Sequence, residues 1–174
     1  MRIGIVTIIM LGMILISGAA RAQETSMKDS LIIEKAEINK GGAAVVKVIF
    51  VNSQELAGLT VPLILGGKGV RIDSISFAGS RVEYIKMKPV TIAENKKQVV
   101  FGAITMTEDY LSVGRGLLAT LYLSADSSFA GKCAIDTTTM GPASAMYTKK
   151  DSYSYVPRIS SGLVSFKEPT KKAK

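Results

Sequence analysis

Gly116-Leu117-Leu118-Ala119-Thr120-Leu121-Tyr122-Leu123-Ser124-Ala125 carries no charge and lies between Arg115 and Asp126. It is too short to cross a bilayer. Leu117, Ala119, Leu121 and Leu123 fall on one parity, Leu118 and Tyr122 on the other. This pattern predicts a strand in the middle of a sheet, buried on one face and largely covered on the other. Shorter strand-like runs surround it, and almost nothing repeats at the helical period. The fold is therefore decided here: all-β, built from strands rather than helices.

Outward from this stretch, Leu31-Ile32-Ile33-Glu34 opens the series and Asn39-Lys40-Gly41-Gly42 turns the chain. Ala44 to Asn52 is rich in β-branched residues, and Asn52-Ser53-Gln54-Glu55 is the next turn. In Leu56 to Leu65 the core parity is Ala57, Leu59, Val61, Leu63 and Leu65. Pro62, on the other parity, has no amide to give a ladder, which predicts an edge strand or a bulge. Gly66-Gly67-Lys68-Gly69 lacks the helix and the Ser/Thr of a phosphate loop and reads as a turn. Val70 to Phe77 alternates with a slip near Ser74, while Gly79 to Pro89 is ambiguous, with Val82, Ile85 and Met87 fitting a short strand. Glu94-Asn95-Lys96-Lys97 is a polar turn before the strand Gln98 to Thr107, whose second parity is Val100, Gly102, Ile104 and Met106. Lys132 to Thr138 is a strand, Gly141 to Asp151 a loop, Tyr153 to Pro157 a short edge piece, and Ser161 to Phe166 the closing strand. The expected architecture is a single β-sandwich of about nine strands with jelly-roll or Greek-key connections.

The ends read differently. Arg2, the apolar run Ile3 to Ile16 and Ala20-Arg21-Ala22 form the three parts of a secretory signal peptide over 1–22. A signal helix cleaved before Gln23 leaves no stable membrane span and sends the protein to the periplasm or the medium. Residues 23–28 form a polar leader, 29–166 the sandwich and 167–174 a basic tail.

Composition narrows the chemistry. There is no histidine, which excludes Ser-His-Asp and Cys-His nucleophile systems and histidine zinc sites. Glu108-Asp109 are adjacent and point apart, so they do not form the paired acids of glycoside chemistry. No catalytic, cofactor or metal residue emerges, and the chain reads as a non-enzyme. Without the first 22 residues the charge is 20 − 14, or +6. The cations are scattered and not interleaved with stacking aromatics, which argues against nucleic acid. Cys133 is the single cysteine, so no internal disulfide exists, and its apolar flanks predict a buried thiol.

Read in order, the strands resemble those of the cohesin family, β-sandwich modules that hold dockerins. The likeness is carried by Val46 to Leu65 with its turn at Asn52-Ser53-Gln54, by Arg71 to Gly79, by the pair Val99 to Ile104 and Gly116 to Tyr122, and by Ser161 to Phe166. It spans Asp29 to Phe166. The resemblance implies a protein-binding module whose partner, a calcium-loaded dockerin, lies against one sheet face. In the family that face carries polar and acidic residues; Gly58 to Pro62 offers only Thr60, so those contacts do not carry over. On this chain, parity turns Thr60, Pro62, Gly102 and Ile104 outward as the partner-binding residues. Two alternatives stay open. One is a carbohydrate-binding module that stacks polysaccharide on Tyr147, Tyr153 and Tyr155; the other is a structural subunit of an extracellular assembly, joined by strand addition.

Overall fold

The computed structural model describes residues 28–106, 109–141 and 143–167. The signal segment, most of the leader, Glu108 and most of the basic tail lie outside the described residues. In chain order the strands are β1 (Ser30–Ile33), β2 (Ala36–Ile38), β3 (Ala43–Asn52), β4 (Leu56–Leu65), β5 (Val70–Ser76), β6 (Val90–Ile92), β7 (Gln98–Ile104), β8 (Gly114–Ala125), β9 (Lys132–Thr137), β10 (Met146–Lys149), β11 (Ser154–Tyr155), β12 (Arg158–Ser160) and β13 (Gly162–Phe166). Nine of these described strands have four residues or more. The architecture is an all-β sandwich of two mixed sheets.

The smaller sheet has the order β12-β1-β3-β8-β5. The larger is built on β4, which pairs with β7 along one side and on the other with β10 over its first half and β9 over its second. From there β10 carries β11, β9 leads through β13 to β2, and β6 borders β7. The sheets enclose a core in which Val46, Val48 and Phe50 of β3, Leu121 and Leu123 of β8, Val61 and Leu63 of β4, Val99 and Phe101 of β7 and Ile135 of β9 are almost wholly buried. Each such side chain contributes about 1.5–3 kcal/mol by leaving water. Cys133 lies in the same core, where burial raises its thiol pKa and holds it as a small apolar group.

Three local expectations need correction. The first concerns Pro62, which is neither at an edge nor at a bulge, because β4 is central. The Pro62 carbonyl accepts the Thr138 amide at 3.2 Å, so its nitrogen faces the same side of the strand. On that side β10 ends opposite Thr60 and β9 begins opposite Leu63, so the missing donor falls in the gap between partners.

The second correction concerns β8. Its pairing with β3 shifts between Val48 and Ile49, leaving Leu118 as the extra residue. The bulge turns Leu118 into the core and breaks it from the parity of Tyr122. The outer face of the strand is therefore Thr120, Tyr122 and Ser124, with Tyr122 42% exposed, and it is not covered.

The third is the segment Gly141 to Asp151, expected as a loop. It contains β10, whose Tyr147 sits opposite Leu59 of β4 and is completely buried. The slip in β5 is a register shift between Ile72 and Ser74 against β8.

Candidate partner-binding face

On the outer side of the larger sheet, Thr60 of β4 lies opposite Gly102 of β7, Gly58 opposite Ile104, and Pro62 opposite Val100. Phe101 and Ala103 point into the core, so strand alternation turns Val100, Gly102 and Ile104 outward. All four residues expected at a binding face thus share one side of two paired strands. Their accessibility differs. Ile104 is 40% exposed and Thr60 half-buried, whereas Pro62 and Gly102 are buried. A Cβ on Gly102 would lie 2.4 Å from the Leu59 carbonyl oxygen, so this position serves the close approach of β7 to β4 rather than contact with a partner. Gly58 is similar, with the Ala103 carbonyl oxygen 3.0 Å from where its Cβ would be. Two adjacent strands without side chains at these points leave a flat patch, edged by Thr60, Ile104 and Met146.

The patch continues into a groove that sequence periodicity did not reveal. Tyr84, Ile85, Lys86, Met87, Ile104, Thr105, Met106 and Asp109 line a cavity of about 340 Å³. Met106 is 73% exposed, and Tyr84 and Met87 are also exposed. The segment between β5 and β6 builds the far wall through successive turns, with Ser80 donating to Phe77, Glu83 to Ser80 and Ile85 to Val82 through their amides. Val82 and Ile85 anchor it in the core. The Ile104 amide donates to the Met87 carbonyl at 3.0 Å and Gly102 to Pro89 at 3.2 Å, holding the segment along β7. The Tyr84 hydroxyl donates to the Tyr110 carbonyl at 3.3 Å. Met106 was on the outward parity of its strand and was legible; the turns that place Tyr84 and Met87 were not, because Val82, Ile85 and Met87 also fit a short strand.

Arg81 locks this segment to the sandwich. Its guanidinium lies 4.3 Å from the centroid of the Phe50 ring, donates to Asn52 Oδ1 at 3.0 Å and also to the Ser112 carbonyl. Asn52, completely buried, donates in turn to the carbonyls of Gln54 at 2.8 Å and Ser112 at 2.9 Å. Desolvation lowers the Arg81 pKa, but a guanidinium remains charged at any ordinary pH.

The tyrosines do not form the three-ring platform considered for polysaccharide. Tyr147 is core, its hydroxyl donating to the Ser30 carbonyl at 2.7 Å. Tyr155 is partly buried and donates to the Asp29 carboxylate. Only Tyr153 is open to solvent; it stacks on Tyr155 with centroids 6.5 Å apart and has Lys149 Nζ 5.0 Å from its own centroid. Burial pushes both the Tyr147 and Tyr155 phenols above the ordinary tyrosine value, and the hydrogen bond to Asp29 adds to the shift at Tyr155. Among the described residues, no three of His, Cys, Asp and Glu come together as metal ligands.

No family model matches the chain, and no curated protein matches it in sequence. Solved structures do match in fold. A cohesin of OlpA from Clostridium thermocellum, solved in a type I cohesin–dockerin complex, superposes with a TM-score of 0.67 at 14% identity, covering 80% of this chain and 99% of that one. The sixth cohesin of scaffoldin B from Acetivibrio cellulolyticus, in complex with a Cel5 dockerin, gives 0.67 at 19% identity over 82% and 100%. A non-cellulosomal cohesin from the hyperthermophilic archaeon Archaeoglobus fulgidus gives 0.65 at 13% over 81% and 92%. The fold is cohesin-like.

Proposed function

We propose that this chain is an exported, non-enzymatic binding module that engages one protein partner, of the calcium-loaded dockerin type, through the outer face of the larger sheet. The observation that carries the reading is the run of accessible apolar side chains from Ile104 through Met106 and Met87 to Tyr84, beside the flat patch at Gly58 and Gly102. Exposed apolar surface of this kind is costly to leave in water and marks contact sites. Methionines suit it, since their unbranched chains repack around a partner. The cohesin-like fold supports a protein as that partner, because two of the similar structures were solved with dockerins. Without Asn or Asp between Gly58 and Pro62, affinity on this face rests on apolar burial around Ile104, with Thr60 as a polar contact.

The test is affinity capture from the source organism's extract on immobilised residues 23–174, with calcium or a chelator, beside the Ile104→Asp variant. A single protein retained by the wild type, released by chelation and not captured by Ile104→Asp is the expected result. Capture that ignores both the chelator and the substitution would sink the proposal.

A further inference from the structure

At the end of the sandwich opposite the groove, five segments are tied together by main-chain hydrogen bonds. Leu65 donates to Lys97 at 2.8 Å, Ile72 to Lys96 at 2.8 Å, Gly66 to Ala134 at 2.8 Å, Asp126 to Gly69 at 2.7 Å, Phe166 to Gly131 at 2.8 Å and Lys167 to Ile38 at 3.0 Å. Together these segments carry Lys40, Lys68, Arg71, Lys96, Lys97, Lys132 and Lys167 against Glu37, Asp73, Glu94 and Asp126. Two of the four acids are already occupied: Arg71 pairs with Asp73 at 3.5 Å and with Asp126 at 3.3 Å. Lys97 is also committed, its ammonium donating to the Gly67 and Val70 carbonyls. Among the described residues, Lys40, Lys68, Lys96, Lys132 and Lys167 make no ion pair. Lys68 and Lys132 flank a cavity of about 260 Å³ that Ser128 and Gly69 also line.

We infer that this lysine-rich end docks on a membrane surface rich in anionic phospholipid headgroups. The cations are spread over five loops rather than gathered around one point, which suits a surface of many phosphates better than a single bound anion. The exposed large apolar residues Val45, Tyr84, Met87, Val90, Ile104, Met106, Val113, Tyr122, Tyr153 and Val156 all lie outside these loops. The end therefore has no wedge to enter the acyl region and no aromatic platform for nucleic-acid bases. Contact is electrostatic, made at headgroup level and screened by salt. End-on attachment leaves the groove at the opposite end open, so this inference is independent of the partner-binding reading.

The experiment is co-sedimentation of residues 23–174, which contain every described strand of the sandwich, with phosphatidylcholine vesicles lacking or containing phosphatidylglycerol. Partition into the anionic vesicles is expected, with loss at high salt. Lys68→Ala and Lys132→Ala should each weaken it about fivefold. Lys86→Ala and Lys150→Ala, at the other end, should leave it unchanged. No partition into anionic vesicles would overturn the proposal. So would equal losses from the two pairs of variants, or binding to soluble polyphosphate or duplex DNA with the vesicles ignored.

Discussion

Where β3 passes into β4, the sandwich is closed by side chains: a guanidinium brought against Phe50 and joined to the buried Asn52. Where β4 passes into β5, it is closed by main-chain hydrogen bonds between loops, and the charged side chains there stand mostly in solvent. The same residue class, a long basic side chain, is structural at one end, while Lys68, Lys96 and Lys132 at the other make no ion pair among the described residues. Cations that hold this fold can thus be separated from cations available for something else. A structural cation has its donors spent on buried acceptors, and removing it orphans them.

Arg81→Ala should do the most damage. It removes the cation–π contact, leaves Asn52 Oδ1 without a donor in a buried position, and frees the segment that forms the groove wall. The expected cost is about 2–4 kcal/mol, read as a lower urea midpoint at constant m-value. Arg81→Lys should recover only part of it, because an ammonium cannot reproduce the planar fork that reaches both Asn52 and Ser112. A loss within about 0.5 kcal/mol would mean that this end is closed by Phe50 and its neighbours alone.

A smaller effect tests the same end by pH. The folded state holds the Tyr147 and Tyr155 protons more tightly than the unfolded chain does. Above the ordinary phenol pKa of about 10 the unfolded state therefore loses protons that the folded state keeps. The stabilisation from these phenols is complete below that pH and is lost progressively as the pH climbs above it towards the raised folded-state values. Thermal midpoints should be level through neutral pH and fall in the alkaline range. Tyr155→Phe should lower the neutral midpoint by the equivalent of about 1 kcal/mol and flatten the alkaline fall. Parallel curves for the two proteins across the range would remove Tyr155 from the account.

Which parts of this were legible in sequence follows from range. The strands β3, β4 and β8 announce themselves because their apolar period is local, and parity alone put Thr60, Pro62, Gly102 and Ile104 on one face. Strand β10 did not announce itself: Ser144-Ala145-Met146-Tyr147-Thr148-Lys149 is a weak local pattern, and it becomes a strand because β4 offers an unpaired side for it. Pro62 misled for a related reason. Its missing amide is harmless only because two partners of β4 meet there, a fact of topology. At Leu118 one extra residue exchanged the faces of half a strand, and periodicity cannot say which residue a bulge will choose. In the groove, Tyr84 and Met87 belong to a chain of turns whose position is fixed by Arg81 and by β7, neither of them near in sequence.

The mildest substitutions lie at the lysine-rich end. If Lys68 and Lys132 are free of structural duty, Lys68→Ala and Lys132→Ala should each change the urea midpoint by no more than about 0.5 kcal/mol in stability. Both side chains are exposed, neither makes an ion pair among the described residues, and the main-chain bonds that close this end do not depend on either. Lys97→Ala, in the same set of loops, supplies the internal contrast. Its ammonium donates to the carbonyls of Gly67 and Val70, tying together the turn between β4 and β5. That variant should cost about 1 kcal/mol. Three lysines within one end of the sandwich would then divide by what their donors touch, two free and one structural, with charge held constant. Equal losses from all three would mean that the lysine-rich end is held by its cations after all.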